Sequence, residues 1–449
     1  MSDHHAESDL NVAVAPAQLD DLRSQLDSLE RSGVAFPVQL TIPVPNLDVW
    51  QWLSANAGLA RIAWADRSTK EMVAGVGQAA AVELSPGEDV SKRIDQCHQR
   101  LAGNTSGLRF FGGCSFDGTE HWESFGAGRF IVPRMLWSEG TLALAVLDAD
   151  DIDRARLDLQ KICFQPATVA DKMPKQIEGS YSPSFDGWQS RIDEALSLIR
   201  SEVVEKIVLS RKAKLTFSDP LCPIALAKRL QVATHDCFVF CFDFGAGSAF
   251  VGATPERLFL REGVSLKSEV IAGTRMRGDD SVADEALAIE LLTSDKDQRE
   301  HDIVRKSIRQ KLHKFVDHLD VDTQASILRL AKKQHLRSNV QGTLKANVDD
   351  GMLLKRLHPT PAVGGYPTDN ALPEIARIEP FNRGWYAAPV GWVGSDSAQF
   401  AVGIRSGLVE GNELSLFSGA GIVRGSDPDA EWREVENKIQ DFIGILDCC

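Results

Sequence analysis

Two acidic pairs stand at the same spacing in distant parts of the chain: Asp297 and Glu300 in KDQREHDIV, and Glu431 and Glu434 in EWREVENK. On a helix, residues three apart share a face, so each pair presents two carboxylates together. Taken singly, such a pair is ordinary solvated surface. Facing each other, the four would supply hard oxygen ligands for a water-rich Mg²⁺ that also grips a substrate carboxylate. The sequence does not say whether they face each other. Lys438 lies one helical turn beyond Glu434.

Two further groups suit proton transfer. Lys206, in VVEKIVLSR, falls by alternation on the same side as Val204 and Val208. The bland reading is an edge lysine whose ammonium snorkels to water; the sharper one is a partly desolvated amine serving as general base. Glu256, in FVGATPERLFL, stands between Pro255 and Arg257 with apolar flanks. By pattern alone, an ion pair with Arg257 is the commoner outcome at a strand end. An apolar setting would instead raise the carboxyl pKa, as protonating a poor leaving group requires. A base and an acid of these kinds make exchange of an incoming water for a departing hydroxide conceivable.

Glycines cluster in VIAGTRMRG, AVGGYP and FSGAGIVRG, but no GxxxxGK[ST] or GxGxxG phosphate loop is present. Turns and close packing explain them by default; the alternative is that Gly273, Gly419 and Gly421 let backbone N–H groups approach a carboxylate. Arg405, in VGIRSG, follows an apolar strand, where an inward guanidinium would suit a bidentate grip on a carboxylate. His358 precedes a proline in RLHPTPAVGG and suits either a structural hydrogen bond or a catalytic one.

The elements that must hold these groups are mostly strands. Residues 1–15 form a polar lead expected to be disordered, and QLDDLRSQLDSLERSG then predicts a helix. Short alternating or apolar runs follow, among them LARIAWAD, LRFFGGCSFD and TLALAVLD, with a helix around DVSKRIDQCHQRL. Phe164 to Gly187, with Pro166, Pro174 and Pro183 among polar residues, is the linker candidate. It separates a strand-rich part, 16–170, that carries few obvious chemical groups, from the region 171–449 that holds the candidate groups. In that region WQSRIDEALSLIRSE puts Ile192, Leu196 and Ile199 on one helical face, and CFVFCFDF pairs with AFVGATPERLFL as a hairpin. A long helical block is expected from about Ser281 to Leu319, then strands, then a terminal helix. Strands in groups, rather than in strict alternation with helices, predict an α+β fold and not a doubly wound sheet.

Composition sets the outer bounds. The 449 residues are 43% hydrophobic and 25% charged, enough for a large core, and the formal net charge of -14 argues against nucleic acid or an anionic membrane as partner. The eight cysteines show no CxxC pair, which fits reduced thiols in a cytoplasmic chain; Cys237 and Cys241 read as small buried fillers. No signal peptide is evident at the start, and no apolar run reaches membrane-spanning length.

Together these segments resemble the chorismate-utilising enzymes, most closely the isochorismate synthases. The likeness runs from about Ile192 to the end through EKIVLSR, GATPERL, IAGTRMRG, KDQREHDIV, LHPTPAVGGYP, GWYAAPVGW, IRSG, GAGIV and EWREVENK, and more loosely through FFGGCSFD and RFIVPR. It implies one intertwined globular domain of large antiparallel sheets wrapped by helices, with 16–170 as the supporting part and 171–449 as the chorismate-binding catalytic region. It also implies Mg²⁺-dependent conversion of chorismate to isochorismate in a deep cleft: water adds at ring C2, the double bonds shift, and the C4 hydroxyl leaves. By resemblance Lys206 is the general base and Glu256 the general acid. Glu300 and Glu434 match direct metal ligands, and Asp297 and Glu431 match ligands acting through water. Tyr386, Arg405, Lys438 and the backbone at Gly421 match the grip on the enolpyruvyl carboxylate, with Gly419 beside them. Gly273, Thr274, His358 and Ala362 match positions near the ring.

Residue identities sort among the relatives. Anthranilate synthases usually have Gln where Lys206 stands and use ammonia from a glutaminase subunit, and aminodeoxychorismate synthases often carry a nucleophilic Lys where this chain has Ala272. Both departures imply water as nucleophile and no glutaminase partner. Salicylate synthases share the lysine, although HPTPAVGG looks more like the isochorismate-only enzymes. The likeness leans to the quinone branch, menaquinone or phylloquinone, over siderophore or salicylate pathways, and to a monomer. A catalytically silent binding subunit is the alternative of a different class.

Overall fold

Alternating runs of β-branched and aromatic residues build two antiparallel sheets, of twelve and ten strands, wrapped by helices. The computed structural model describes residues 14–103, 107–119, 122–170 and 172–447. The expected disordered lead lies outside them except for its last two residues. Eleven α-helices are present among the described residues. This is the α+β class that the grouped strands predict.

The larger sheet runs in the order Val38–Pro43, Thr141–Val146, Met135–Ser138, Met72–Val76, Arg61–Ala65, Phe238–Asp243, Ser248–Thr254, Ser406–Glu410, Glu413–Val423, Lys206–Phe217 and Gly365–Tyr366. The smaller runs Val316–Val321, Lys333–Leu344, Ser265–Met276, Arg257–Glu262, Ser397–Val402, Pro389–Val393, Phe110–Cys114, Gly128–Val132 and Ala80–Leu84. Each sheet therefore mixes strands of the first third with strands of the remainder. Phe240 pairs opposite Trp64 in one, and Gly391 opposite Gly112 in the other. One contiguous apolar core holds residues of both sheets. Cys237 and Cys241 are buried within it as unpaired thiols.

The stretch FVGATPERLFL is where the chain changes sheets. Strand Ser248–Thr254 belongs to the larger sheet and Arg257–Glu262 to the smaller. Pro255 lacks the N–H that would continue the first ladder. Glu256 thus sits on the short passage between sheets, in neither strand.

Two helices carry the acidic pairs. Asp295–Leu312 starts at Ser294, whose hydroxyl accepts the Asp297 N–H at 3.3 Å. Pro428–Asp447 starts beside Asp427, whose carboxylate accepts the Ala430 N–H at 2.9 Å. Both pairs fall in the first two turns, near the positive end of the helix dipole, which favours carboxylates.

Two expectations on the elements are corrected. The linker candidate contains strand Gln176–Ser182, which pairs with Lys206–Phe217, and the start of helix Phe185–Arg200. Its prolines flank that strand instead of preventing it. The helical block from Ser281 is two helices, Ser281–Thr293 and Asp295–Leu312, broken where Ser294 takes extended backbone as the second cap. Residues Val316–Val321, which include Leu319, form an edge strand. In helix Phe185–Arg200, Ile192 and Ile199 are buried and Leu196 is half-buried, as the spacing predicts. No helix among the described residues is long and apolar enough to cross a membrane.

Candidate active site

Strand Lys206–Phe217 brings Lys206, Val208 and Ser210 to one side, and its neighbour sets Gly421 opposite Val208 and Gly419 opposite Ser210. Lys206 is completely buried and donates from Nζ to Glu300 Oε1 at 2.8 Å. A methyl at Gly421 would lie 2.7 Å from Glu300 Oε1 and 2.8 Å from Lys206 Cε, so only glycine leaves room for that pair. Gly273 makes a comparable approach from the smaller sheet. It is the extra residue of a bulge between Ala272 and Thr274, with φ of 75°, and it packs against Asp297.

These elements enclose a cleft of about 290 Å³. Glu256, Gly273, Thr274, Asp297, Glu300, Ala362, Tyr386, Arg405, Gly419, Gly421, Glu431, Glu434 and Lys438 all line it. Lys206 stands just behind the wall, reaching it through Glu300. The sequence could not show that the two acidic pairs face one space; the fold brings them there.

Each acidic residue of the two pairs has a cationic partner. Besides Lys206 with Glu300, Lys438 meets Glu434 at 2.8 Å, Lys296 meets Glu431 at 3.1 Å, and Arg275 meets Asp297 at 2.9 Å. Burial works against the Lys296 charge, yet Glu431, Glu300 and Glu434 together raise its pKa. Burial likewise raises Glu431, against the pull of Lys296. Among the described residues no three His, Cys, Asp or Glu side chains are gathered into a ready metal cluster. The donor set is nevertheless the one a hard divalent cation takes: four carboxylates on one cleft, with neither thiolate nor imidazole among them. Four protein cations neutralise those carboxylates in the structure described.

Glu256 is buried, and no ion pair joins it to Arg257. The Arg257 side chain turns instead to Ser68 and to the Phe238 ring. Burial, reinforced by the nearby Glu269 carboxylate, pushes the Glu256 pKa up to about 8, although Lys206 and Arg405 oppose the shift. This carboxyl therefore holds its proton at neutral pH. The apolar-site reading holds here, and the ion-pair reading does not.

Arg405 reaches the cleft from a left-handed backbone position, φ 50°, and Ala387 beside it has φ 60°. Such conformations are costly for residues with a Cβ, roughly 1–3 kcal/mol each, and cluster at functional sites. Arg405 has no carboxylate partner among the described residues. It donates to His335 Nε2 at 2.8 Å, which fixes the proton of that ring on Nδ1, facing Gly273 O at 3.2 Å. Burial holds His335 well below its ordinary pKa, so it is neutral. Tyr386, pushed up to about 12 by burial, stacks on Phe417 at 5.2 Å. The cleft thus offers one guanidinium without a counter-ion, a phenol and a lysine.

His358 is the correction within the site. It does not line the cleft; its Nε2–H donates to Phe116 O at 2.7 Å, and burial lowers its pKa to about 3. A neutral imidazole whose N–H is committed to a carbonyl is a structural group, here anchoring the loop that leads to Ala362. Three charged or titratable residues that line the cleft carry no role in the sequence expectations: Arg275, Lys296 and His335. Lys296 adjoins Asp297 in the quoted motif, and one more step along it would have found that lysine. Arg275 adjoins Thr274 in the stretch VIAGTRMRG, and His335 carries no such signal.

Sequence and fold are both similar to those of other proteins. The sequence profile described as "Chorismate binding enzyme" matches residues 24–447. Isochorismate synthase 2 of Arabidopsis thaliana, a chloroplastic protein, is 36% identical over 397 residues, covering 84% of this chain and 70% of that relative. Isochorismate synthase MenF of Bacillus subtilis is 32% identical over 413 residues, 86% of this chain and 88% of the relative. The solved structure of MenF, the menaquinone-specific isochorismate synthase of Escherichia coli, superposes with a TM-score of 0.84 at 29% identity. It covers 96% of this chain and 99% of that one. With a profile spanning nearly the whole sequence and a matching fold around the cleft, the chain belongs to the chorismate-binding enzymes.

Proposed function

We propose that this chain is an isochorismate synthase that exchanges water for hydroxide on the chorismate ring. The observation that carries the reading is Glu256, a carboxyl protonated near neutral pH in the same cleft as the buried Lys206–Glu300 pair. For Lys206 to take a proton from the incoming water, its ammonium must first part from Glu300 and give up one proton to solvent, leaving the neutral amine. As the water oxygen bonds to C2 the ring double bonds shift, and Glu256 gives its proton to the C4 oxygen as the C4–O bond breaks. One water enters and one leaves. Between turnovers Lys206 releases its proton to solvent and Glu256 regains one.

Arg405, Tyr386, Lys438 and the Gly421 backbone are the proposed grip on the enolpyruvyl carboxylate, supported by the absence of any carboxylate partner for Arg405 among the described residues. Gly419, lacking a side chain, leaves room at that end of the cleft beside the Tyr386 hydroxyl, and Gly273, Thr274 and Ala362 border the ring. Glu300 and Glu434 would hold Mg²⁺ directly and Asp297 and Glu431 through water, so that the ring carboxylate is neutralised when the metal is bound. We further propose a cytoplasmic monomer that needs no glutaminase subunit and serves the quinone branch. Unpaired cysteines and the similarity to the menaquinone-specific enzyme support this.

The test is to incubate pure protein with chorismate, with and without Mg²⁺, and resolve the products by chromatography. Isochorismate formed only with metal is expected. Salicylate and pyruvate as main products would identify a lyase instead, and no turnover with any divalent metal would leave a silent binding protein.

A further inference from the structure

The first third of the chain sends one side chain to the setting of Glu256. Arg67 follows strand Arg61–Ala65 and is buried beside Glu269, a buried residue of strand Ser265–Met276. Its two terminal nitrogens donate to Glu269 Oε1 and Oε2, both at 2.8 Å. The same guanidinium donates to Pro255 O, and Glu269 Oε1 accepts the Arg257 N–H at 2.8 Å. One ion pair thus holds the carbonyl before Glu256 and the N–H after it. Arg67 itself is anchored by its neighbour Asp66, whose carboxylate accepts the Ser68 and Thr69 N–H groups and the Gln399 amide.

Accepting Glu256 as the proton donor, we infer that the Arg67–Glu269 pair is its positioning pair, fixing the peptides on both sides of it. Four charged or titratable groups on neighbouring elements act on Glu256 or feel its charge. Glu269 favours the proton; Lys206 and Arg405 favour its loss; Tyr386 lies within reach of the same charge. Removing Glu269 alone deletes the one charge that favours the proton and leaves Arg67 buried without a partner, and both changes favour ionised Glu256. A group that merely supported the fold would not have that signature.

The experiment is the pH dependence of kcat/KM for chorismate in the wild type, in Glu269→Gln and in the double variant Arg67→Met/Glu269→Gln. The double variant leaves no unpaired buried charge and keeps the test alive if the single variant does not fold. The expected result is an alkaline limb displaced downward by about one pH unit or more in Glu269→Gln, and displaced in the same direction in the double variant. Slower turnover with the limb unmoved in every variant that folds would overturn the inference and reduce the pair to a structural one. A parallel profile of Glu256→Gln separates the two levels. If the limb persists there, it belongs to another group and the acid assignment itself fails.

Discussion

Replacing Glu256 by Gln should leave a more stable and far less active protein, and the gain should depend on pH in a way that can be worked out. The folded-state pKa of about 8 lies above the ordinary 4.5. Between those values the native state holds a proton that the unfolded chain releases, so wild-type stability falls as pH rises through the window. The full penalty is reached above pH 8. At about 1.4 kcal/mol per pH unit, the 3.5 units between 4.5 and 8 correspond to about 5 kcal/mol. Gln has nearly the same shape and does not titrate. Tyr386, which feels the Glu256 charge, is pushed up to about 12 and does not titrate in the range used, and groups remote from Glu256 cancel in the difference. Between pH 6 and pH 8 the stability advantage of Glu256→Gln should therefore widen by about 2 kcal/mol. Urea denaturation followed by tryptophan fluorescence, at several pH values across that range, measures it, while chorismate turnover at pH 7 should drop about a hundredfold or more. An advantage that stays constant or narrows would refute the claim that burial keeps this carboxyl protonated, whatever the kinetics show.

Other perturbations probe the remaining groups. Lys206→Ala should lower kcat on the order of a hundredfold or more; near-normal turnover by steady-state assay would remove it as the base. Arg405→Met should lower kcat/KM for chorismate by about ten- to a hundredfold, the value of a charge-assisted hydrogen bond, with the fold intact by circular dichroism; an unchanged KM would place the carboxylate elsewhere. Gly421→Ala inserts a methyl 2.7 Å from Glu300 Oε1, so it should fold yet lose about tenfold or more in kcat, since displacing packed groups costs about 1–3 kcal/mol. Glu434→Ala should raise the Mg²⁺ concentration for half-maximal rate about tenfold or more, and an unaltered titration would exclude it from the metal set.

Much of the site could be read in the sequence because its chemistry sits on local patterns. Each i, i+3 carboxylate pair is a property of a single helix and the alternation around Lys206 of a single strand, and they survive folding unchanged. Long-range register is what sequence could not supply. Nothing local shows that Thr254–Pro255–Glu256 passes from one sheet to another, and that passage is why Glu256 is buried away from the Arg257 charge. His335 meets Arg405 only because strand Lys333–Leu344 lies beside the Gly273 bulge, and Arg67 reaches Glu269 across 202 positions of sequence. The resemblance puts His358 near the ring, and a loop residue before proline gives no local clue to the direction of its side chain, which turns to Phe116 O instead. The element ends were missed for a related reason: Val316–Val321 pairs with a distant strand, and residues before it are helical.

The central claim is that solvent water replaces the C4 hydroxyl at C2, with Lys206 and Glu256 moving the protons. Turnover of unlabelled chorismate in H₂¹⁸O, with the product examined by mass spectrometry, tests it most directly. The account predicts isochorismate carrying one ¹⁸O, located at C2, with labelling lost in proportion to turnover in Lys206→Ala and Glu256→Gln. Isochorismate formed without label would mean that the hydroxyl migrates within the substrate, and would contradict the assignment of both residues.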